Sequence, residues 1–316
     1  MKDNDNPMVS VCCLAYNEEQ YIGQTLDGIL MQKGDFSIEV LIHDDASTDN
    51  TANIIRDYQE RYPDIIKPIF QRENQWSSCG WGILKKFVYP LAKGEFIALC
   101  EGDDYWTDEY KLQRQINYMK SDADSSMCFH AVNYVCDGRV IKNDRRSKVE
   151  CNMTVEQMIR GGGEFVATSS MVFRSKYAMD FPRFRDIALI GDYPLQLLLA
   201  IRGRVHYFPD IMGAYRTGRE GAWTSDMEES GRYSAKRLDF LQLEVDWLTE
   251  FDKETDGHYS DAIYYRILMG LTELYVSHRV SFNELKNGVS HMSWGRDKFK
   301  MLRKIYRKRL LELLKK

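Results

Sequence analysis

A chain of 316 residues, 44% hydrophobic and 28% charged, has the composition of an ordinary globular protein, which excludes disorder, collagen and low-complexity fibre. Such a length buries most of a core without staples, as one large domain or one domain with an extension. Lys+Arg 43 against Asp+Glu 47 leaves a net charge of -4, whereas a nucleic-acid binder would carry a basic excess, so no nucleic-acid partner is expected.

Residues 8–16 form an apolar, β-branched run and predict a buried strand. Over 18–31, Ile22, Leu26, Ile29 and Leu30 recur at helical spacing behind Glu18 and Glu19, acidic residues that favour a helix N-terminus. A second strand is predicted over 38–43. Ser47, Asp49 and Asn50 then supply N-cap chemistry for a helix over 51–61 that stops before Pro63. Strands over 65–70 and 95–100 enclose a helix over 82–91, and another helix covers 108–120. Strand alternating with helix across short connections means βαβ units and a mostly parallel α/β sheet flanked by helices.

The middle of the chain is mixed. It predicts strands over 127–136 and 165–173 around a short helix at 154–160, a helix over 194–201 behind Gly191-Asp192, and short strands at 205–208 and 211–215. From about residue 230 the pattern is helical, over 233–251, 258–277 and 296–314. The polar, Gly-rich stretch 217–231 separates a first domain, 1–225, from a helical C-terminal extension, 226–316.

The 7 cysteines include no C-x-x-C pair, and Cys12, Cys13 and Cys100 lie inside predicted strands, which suits reduced, buried thiols. Residues 1–7 are polar and lack the apolar core of a signal peptide, and the longest aliphatic stretch, near 195–201, is too short to span a bilayer. The expectation is a cytoplasmic protein with any membrane contact peripheral, at the inner face of the cell membrane.

In parallel sheets, ligands sit beyond the carboxyl ends of the strands. Three polar clusters fall there: Asn17-Glu18, Asp44-Asp45-Ala46-Ser47-Thr48-Asp49, and Glu101-Gly102-Asp103-Asp104. Carboxylates packed as tightly as the third group repel one another unless a cation joins them, and Mg²⁺ or Mn²⁺ bound through one or two carboxylates and a diphosphate is the usual solution. The plainer reading is a solvated acidic turn with Asp108 capping the next helix. The second cluster reads either as an acidic N-cap loop or as acceptors for a nucleobase N–H or a ribose hydroxyl. Asp192 caps the helix behind it, serves as a base, or does both. Trp76, Trp81, Trp106 and Trp223 fall in or near predicted loops, where packing is commoner than sugar stacking. His130 and His206 read as satisfied core or rim histidines.

The blocks Val9-Ser10-Val11 into Ala15-Tyr16-Asn17-Glu18, Asp44 through Thr51, Glu101 through Trp106, Thr168 through Arg174, Gly191-Asp192-Tyr193, and Met212 through Arg216 followed by Trp223 resemble, in order and spacing, the family 2 glycosyltransferases of the GT-A fold. The resemblance covers roughly the first two-thirds of the chain. It implies a nucleotide-diphospho-sugar transferase fold in which Ala15, Tyr16, Asn17, Glu18 and Asp45 hold the nucleoside with Asp44 adjacent. Asp103 would be the metal ligand of the DxD motif for Mg²⁺ or Mn²⁺, beside Glu101 and with Asp104 supporting. Asp192 would be the catalytic base, and Tyr215-Arg216 would lie near the diphosphate. Two departures stand out. Glu101 replaces the first Asp of DxD, and Thr217-Gly218 stands where members often carry a His.

The chemistry agrees: one base for the acceptor hydroxyl and one metal for the leaving diphosphate suffice for an inverting single displacement. The expected activity moves a hexose from a nucleoside diphosphate, UDP by expectation, to a hydroxyl of a glycan or lipid-linked acceptor in bacterial surface polysaccharide synthesis. The rivals are a sugar nucleotidyltransferase and a non-catalytic nucleotide-sugar-binding protein. The former would want a Gly- and Lys/Arg-rich triphosphate loop, absent after Tyr16. Residues 296–316 form a basic amphipathic segment with Phe299, Leu302, Tyr306, Leu310 and Leu313 at helical spacing. It lies on an anionic membrane or docks its apolar stripe on the first domain.

Overall fold

The structure, a computed structural model, describes residues 7–188, 190–218 and 233–276. The predicted helix over 296–314, Trp223 and most of the predicted boundary stretch lie outside them. The chain divides into two compact units, Met1–Ser225 and Asp226–Lys316.

Four parallel strands open the first unit: β1 (Val9–Ala15), β2 (Ile38–Asp44), β3 (Ile66–Phe70) and β4 (Phe96–Leu99), in spatial order β3-β2-β1-β4. Val9, Val11, Cys13, Val40, Ile42, Phe96 and Ala98 are buried, as apolar runs without alternation require of strands covered on both faces. Helices α1 (Ile22–Leu30) and α2 (Thr51–Arg61) are the crossovers, burying Ile22, Leu26, Ile29 and Ile55, Tyr58 respectively. The order then continues β9 (Val172–Arg174), β6 (Ser125–Cys136), β10 (Arg204–Arg216) and β5 (Tyr105–Trp106), with β7 (Arg139–Asp144) on β6 and β8 (Cys151–Met153) on β10.

Strand β9 runs antiparallel to both β4 and β6. Its N-terminal end, carrying the turn Thr168–Ser170, therefore stands at the edge where β4 ends, and Leu99 N–H donates to the Met171 carbonyl at 3.3 Å. A short helix α3 (Trp76–Cys79) lies between β3 and β4, and α4 (Lys111–Ser121) follows β5; α5 (Val155–Gly161), opened by a Thr154/Gln157 capping box, and α7 (Asp192–Arg202) lie further along, with a short helical turn α6 (Arg183–Asp186) between them.

Several elements differ from the sequence reading. Residues 18–21 precede α1 because Glu18 directs its N–H to Thr51 at the start of α2 and Glu19 directs its N–H to Asp49 in the loop before it. Residues 82–91 do not make one α-helix. A 3₁₀ turn (Gly80–Gly82), a π-turn (Leu84–Val88) and a second 3₁₀ turn (Tyr89–Leu91) succeed one another around Gly80, Gly82 and Pro90. The strand expected over 165–173 shrinks to β9 because Ser170 Oγ donates to the Ala167 carbonyl at 2.6 Å and closes a turn. The two short strands at 205–208 and 211–215 are one, β10, with an irregular register around Pro209-Asp210. Asp192 is the first residue of α7 rather than its N-cap, which is Gly191. Strands β5, β7 and β8 had no counterpart in the sequence reading.

In the second unit α8 (Tyr233–Glu254) and α9 (Ser260–Val276) fold against each other, burying Trp247, Leu248, Phe251, Ile263 and Ile267. Arg266 Nε meets Glu244 Oε1 at 2.8 Å across the pair. No described helix is long and apolar enough to cross a membrane.

Candidate active site

The first two polar clusters are stitched together. Asn17 adopts a left-handed backbone, φ 55°, and its N–H donates to Ser47 Oγ at 3.0 Å while its Oδ1 accepts from Thr48 N at 2.8 Å. Glu18 N donates to Thr51 Oγ1 at 2.7 Å, Glu19 N to Asp49 Oδ2 at 3.0 Å, and Asn50 N returns to Glu19 Oε2 at 2.9 Å. Ser47, Asp49 and Thr51 thus satisfy backbone donors of the β1 loop, although their spacing reads as local capping. Burial pushes the Asp49 carboxyl up, but hydrogen bonds from Thr51, through its side chain and its N–H (2.9 Å to Oδ1), and from Glu19 N outweigh it and leave it below the ordinary value.

Ala15 pairs with Asp44 in the parallel ladder, and Tyr16 beyond it is 45% exposed. Asp44 and Asp45 are both buried and used differently. Asp45 accepts from the backbone N–H of Gln75 at 2.7 Å and of Trp76 at 3.0 Å, one to each oxygen. Asp44 Oδ2 accepts from Ser47 N at 3.4 Å, while its Oδ1 is buried and has no hydrogen-bond partner. An orphaned buried acceptor at this edge fits an incoming N–H or O–H.

The acidic turn follows β4. Gly102 N donates to the Leu14 carbonyl at 2.8 Å, and a Cβ on Gly102 would stand 2.9 Å from that oxygen and 3.1 Å from Ala15 Cβ. Only glycine lets the turn lie this close to β1. Glu101 and Asp103 are half-buried, whereas Asp104 is fully buried and accepts from Arg216 N at 3.0 Å. Burial, then the neighbouring Asp103, raises Asp104 well above the carboxylate range.

Arg216, the last residue of β10, donates through its guanidinium to the Asp103 carbonyl and to Gln24 Oε1, and lies 4.7 Å and 4.5 Å from the Tyr21 and Tyr105 rings. The charges of Asp103, Glu101 and Glu18 are all felt by the buried Cys13 thiol. Burial first, then the charges of Asp103, Glu101 and Glu18, pushes the Cys13 thiol far up. Tyr215 is raised by burial and by Glu101, Asp104 and Asp103 in the same way.

The turn Thr168–Ser170 joins this edge to α7. Ser169 accepts from Trp106 Nε1 at 2.8 Å, and Thr168 Oγ1 stands 3.5 Å from Asp192 Oδ2. Asp192 Oδ1 accepts from Tyr193 N at 2.8 Å, and burial raises this carboxyl above the ordinary value despite those bonds. Trp106 is therefore a buried strut. His130 is buried and His206 stacks on Tyr118 at 3.8 Å, core and rim positions as expected, but the Nε2 of each is buried without a hydrogen-bond partner, so neither ring is fully satisfied.

Among the described residues no three His, Cys, Asp or Glu side chains form a metal cage. Glu101 and Asp103 nevertheless fit a hard cation that takes one or two protein carboxylates and completes its shell with diphosphate and water oxygens.

The family model for glycosyl transferase family 2 matches residues 10–180, more than half of the chain. The chain belongs to this family. The matched stretch holds all three clusters and ends before Asp192 and Arg216. An uncharacterized protein of Mycobacterium tuberculosis is 35% identical over 227 residues, 69% of this family 2 chain and 61% of the relative. The chain thus spans about three fifths of that relative's length.

Among solved structures, Staphylococcus aureus TarS 1-349 in complex with UDP-GlcNAc aligns with TM-score 0.64 at 20% identity, over 93% of this chain and 81% of TarS. The mannosyltransferase PcManGT of Pyrobaculum calidifontis, in complex with GDP-Man and Mn²⁺, aligns with TM-score 0.55 at 16% identity, over 95% and 84%. The fold of this family 2 chain is therefore GT-A-like.

Proposed function

We propose that the protein transfers a hexose from a nucleoside diphosphate, with UDP the expected nucleotide, to a hydroxyl of a glycan or lipid-linked acceptor, with inversion. The observation that carries this is the convergence of three features on one sheet edge. These are the Asp44 acceptor, the Glu101/Asp103 turn braced by Arg216, and Asp192 held behind the Thr168–Ser170 turn. The UDP-GlcNAc held by TarS and the GDP-Man and Mn²⁺ held by PcManGT support the donor class and the cation.

In this reading Tyr16, Asn17, Glu18 and Asp44 line the nucleoside side, and Asp45 fixes the loop at Gln75-Trp76 that closes it. Asp103, with Glu101, holds Mg²⁺ or Mn²⁺, which when bound neutralises charge on the diphosphate. Asp104 carries no ligand and anchors Arg216, whose guanidinium steadies the turn from the Asp103 carbonyl. Asp192 accepts the proton of the acceptor hydroxyl, whose oxygen bonds to the anomeric carbon while the bond to the diphosphate oxygen breaks. No second acid is required, because the leaving diphosphate departs as an anion.

Asp192→Asn tests the assignment. It keeps size and the bond from Tyr193 N but removes the proton acceptor. Transfer should fall about 10²–10⁴-fold, with donor binding retained. In the unmodified protein the rate should drop as pH falls, because the protonated form is inert, and the limb should lie above the ordinary aspartate value because burial raises this group. Near-normal transfer by the Asn variant assigns Asp192 to the helix alone.

A further inference from the structure

We infer that the β6–β7 hairpin and the segment after it form a docking surface for an anionic lipid bilayer. Asp137-Gly138 makes the two-residue turn, with φ 49° and 73°, the left-handed pair that a tight hairpin requires. Beyond it, residues 139–149 carry Arg139, Lys142, Arg145, Arg146 and Lys148 against a single acid, Asp144, in a chain of net charge -4. Asp144 is buried and already ion-paired to Lys142 and Arg146. Interleaved with these cations, Val140, Ile141 and Val149 are 55%, 61% and 65% exposed.

Successive strand residues point to opposite faces, so exposure of both Val140 and Ile141 means that β7 stands clear of the domain on both faces. Among the described residues β7 pairs only with β6, so it offers an open edge. Aliphatic side chains set among lysines and arginines match a surface with anionic head groups above an apolar layer. Edge-to-edge pairing with a second copy would bring these basic side chains opposite one another, which disfavours it.

The arm is tied to the site at both ends. At its tip, β6 pairs Tyr134 with Tyr215 and Val135 with Arg216. At its base, Arg146 Nε donates to the Phe165 carbonyl at 2.7 Å and its Nη2 to that of Glu164 at 2.6 Å, three to four residues before Thr168. A bilayer engaged here lies beside the cleft edge that carries Arg216. The inference does not rest on the proposed transfer reaction, since its readout needs neither donor nor turnover.

The test is co-sedimentation of the full chain with phosphatidylglycerol vesicles and with phosphatidylcholine vesicles. The full chain should bind the anionic vesicles at low salt and release as ionic strength rises. Val140→Ser/Ile141→Ser should lower the partition about tenfold through lost apolar contact. Arg139→Gln/Lys148→Gln should lower it roughly 25-fold, because each basic side chain near an anionic surface is worth about fivefold. All these residues are exposed, so both variants should melt with the parent. Three results overturn the inference: no binding by the parent, parental binding by both variants, which moves any membrane contact to residues 296–316, or a change in oligomeric mass without a change in partition, which makes the edge a contact between copies.

Discussion

Asp44 and Asp45 are adjacent, buried and acidic, yet their surroundings separate them. Asp45 gives one oxygen to each of two backbone N–H groups. Asp45→Ala should therefore destabilise the fold by about 1–3 kcal/mol, because those donors lose their acceptors, and should loosen the Gln75-Trp76 loop. Asp44 has one oxygen without a protein partner and only a long 3.4 Å bond from Ser47 N at the other, so Asp44→Ala should lower the melting temperature less than Asp45→Ala while weakening UDP binding by on the order of 1–3 kcal/mol. Calorimetric UDP titration beside thermal melts of both variants reads the difference. Equal UDP affinity for Asp44→Ala and parent returns the nucleoside contact to Asp45, the residue that the family resemblance implies. Adjacency in sequence does not separate such roles; the direction of each carboxylate does.

At the scale of elements, the acidic turn depends on how closely it lies against β1. Gly102→Ala brings a Cβ to 2.9 Å from the Leu14 carbonyl, so the turn must move away from β1 and stretch the Gly102–Leu14 bond. The expectation is a folded protein destabilised by about 1–3 kcal/mol, with donor turnover reduced at least roughly tenfold as Asp103 shifts. Unaltered turnover would mean that the position of the turn does not matter. That this turn, the Asn17 loop and the Asp44 loop share an edge was legible from strand runs alone, since parallel strands must end on one side.

What joins those loops was not legible, because Asn17 to Ser47 and Glu18 to Thr51 are bonds between residues about thirty apart that local spacing reads as caps. The β6–β7 hairpin does carry a local signal, Asp137-Gly138 between apolar runs. The π-turn at Leu84–Val88 had none, since its apolar spacing is that of an ordinary helix.

At the scale of the first unit, the sheet has two halves of different character. The parallel half, β3-β2-β1-β4, supplies Asp44 and the acidic turn, and the half built from β9, β6 and β10 supplies Thr168 and Arg216. Strand β9 is the seam, and its reversed direction brings the approach to Asp192 beside the end of β4. A nucleoside diphosphate with its cation would engage the parallel half, Arg216 of the other half and the cation's carboxylates together, so its binding should be read as whole-domain stability. At a concentration of 100 times Kd, UDP with Mn²⁺ should stabilise the native state by about 2.7 kcal/mol, a rise in melting temperature of roughly 5–10 °C for a domain of this size. Excess EDTA should remove most of that rise, because Glu101 and Asp103 repel a bare diphosphate. Asp103→Asn should do the same without EDTA. A rise that survives EDTA rules out the cation, and no rise with UDP, while GDP gives one, reassigns the nucleotide and leaves the fold-level reading intact.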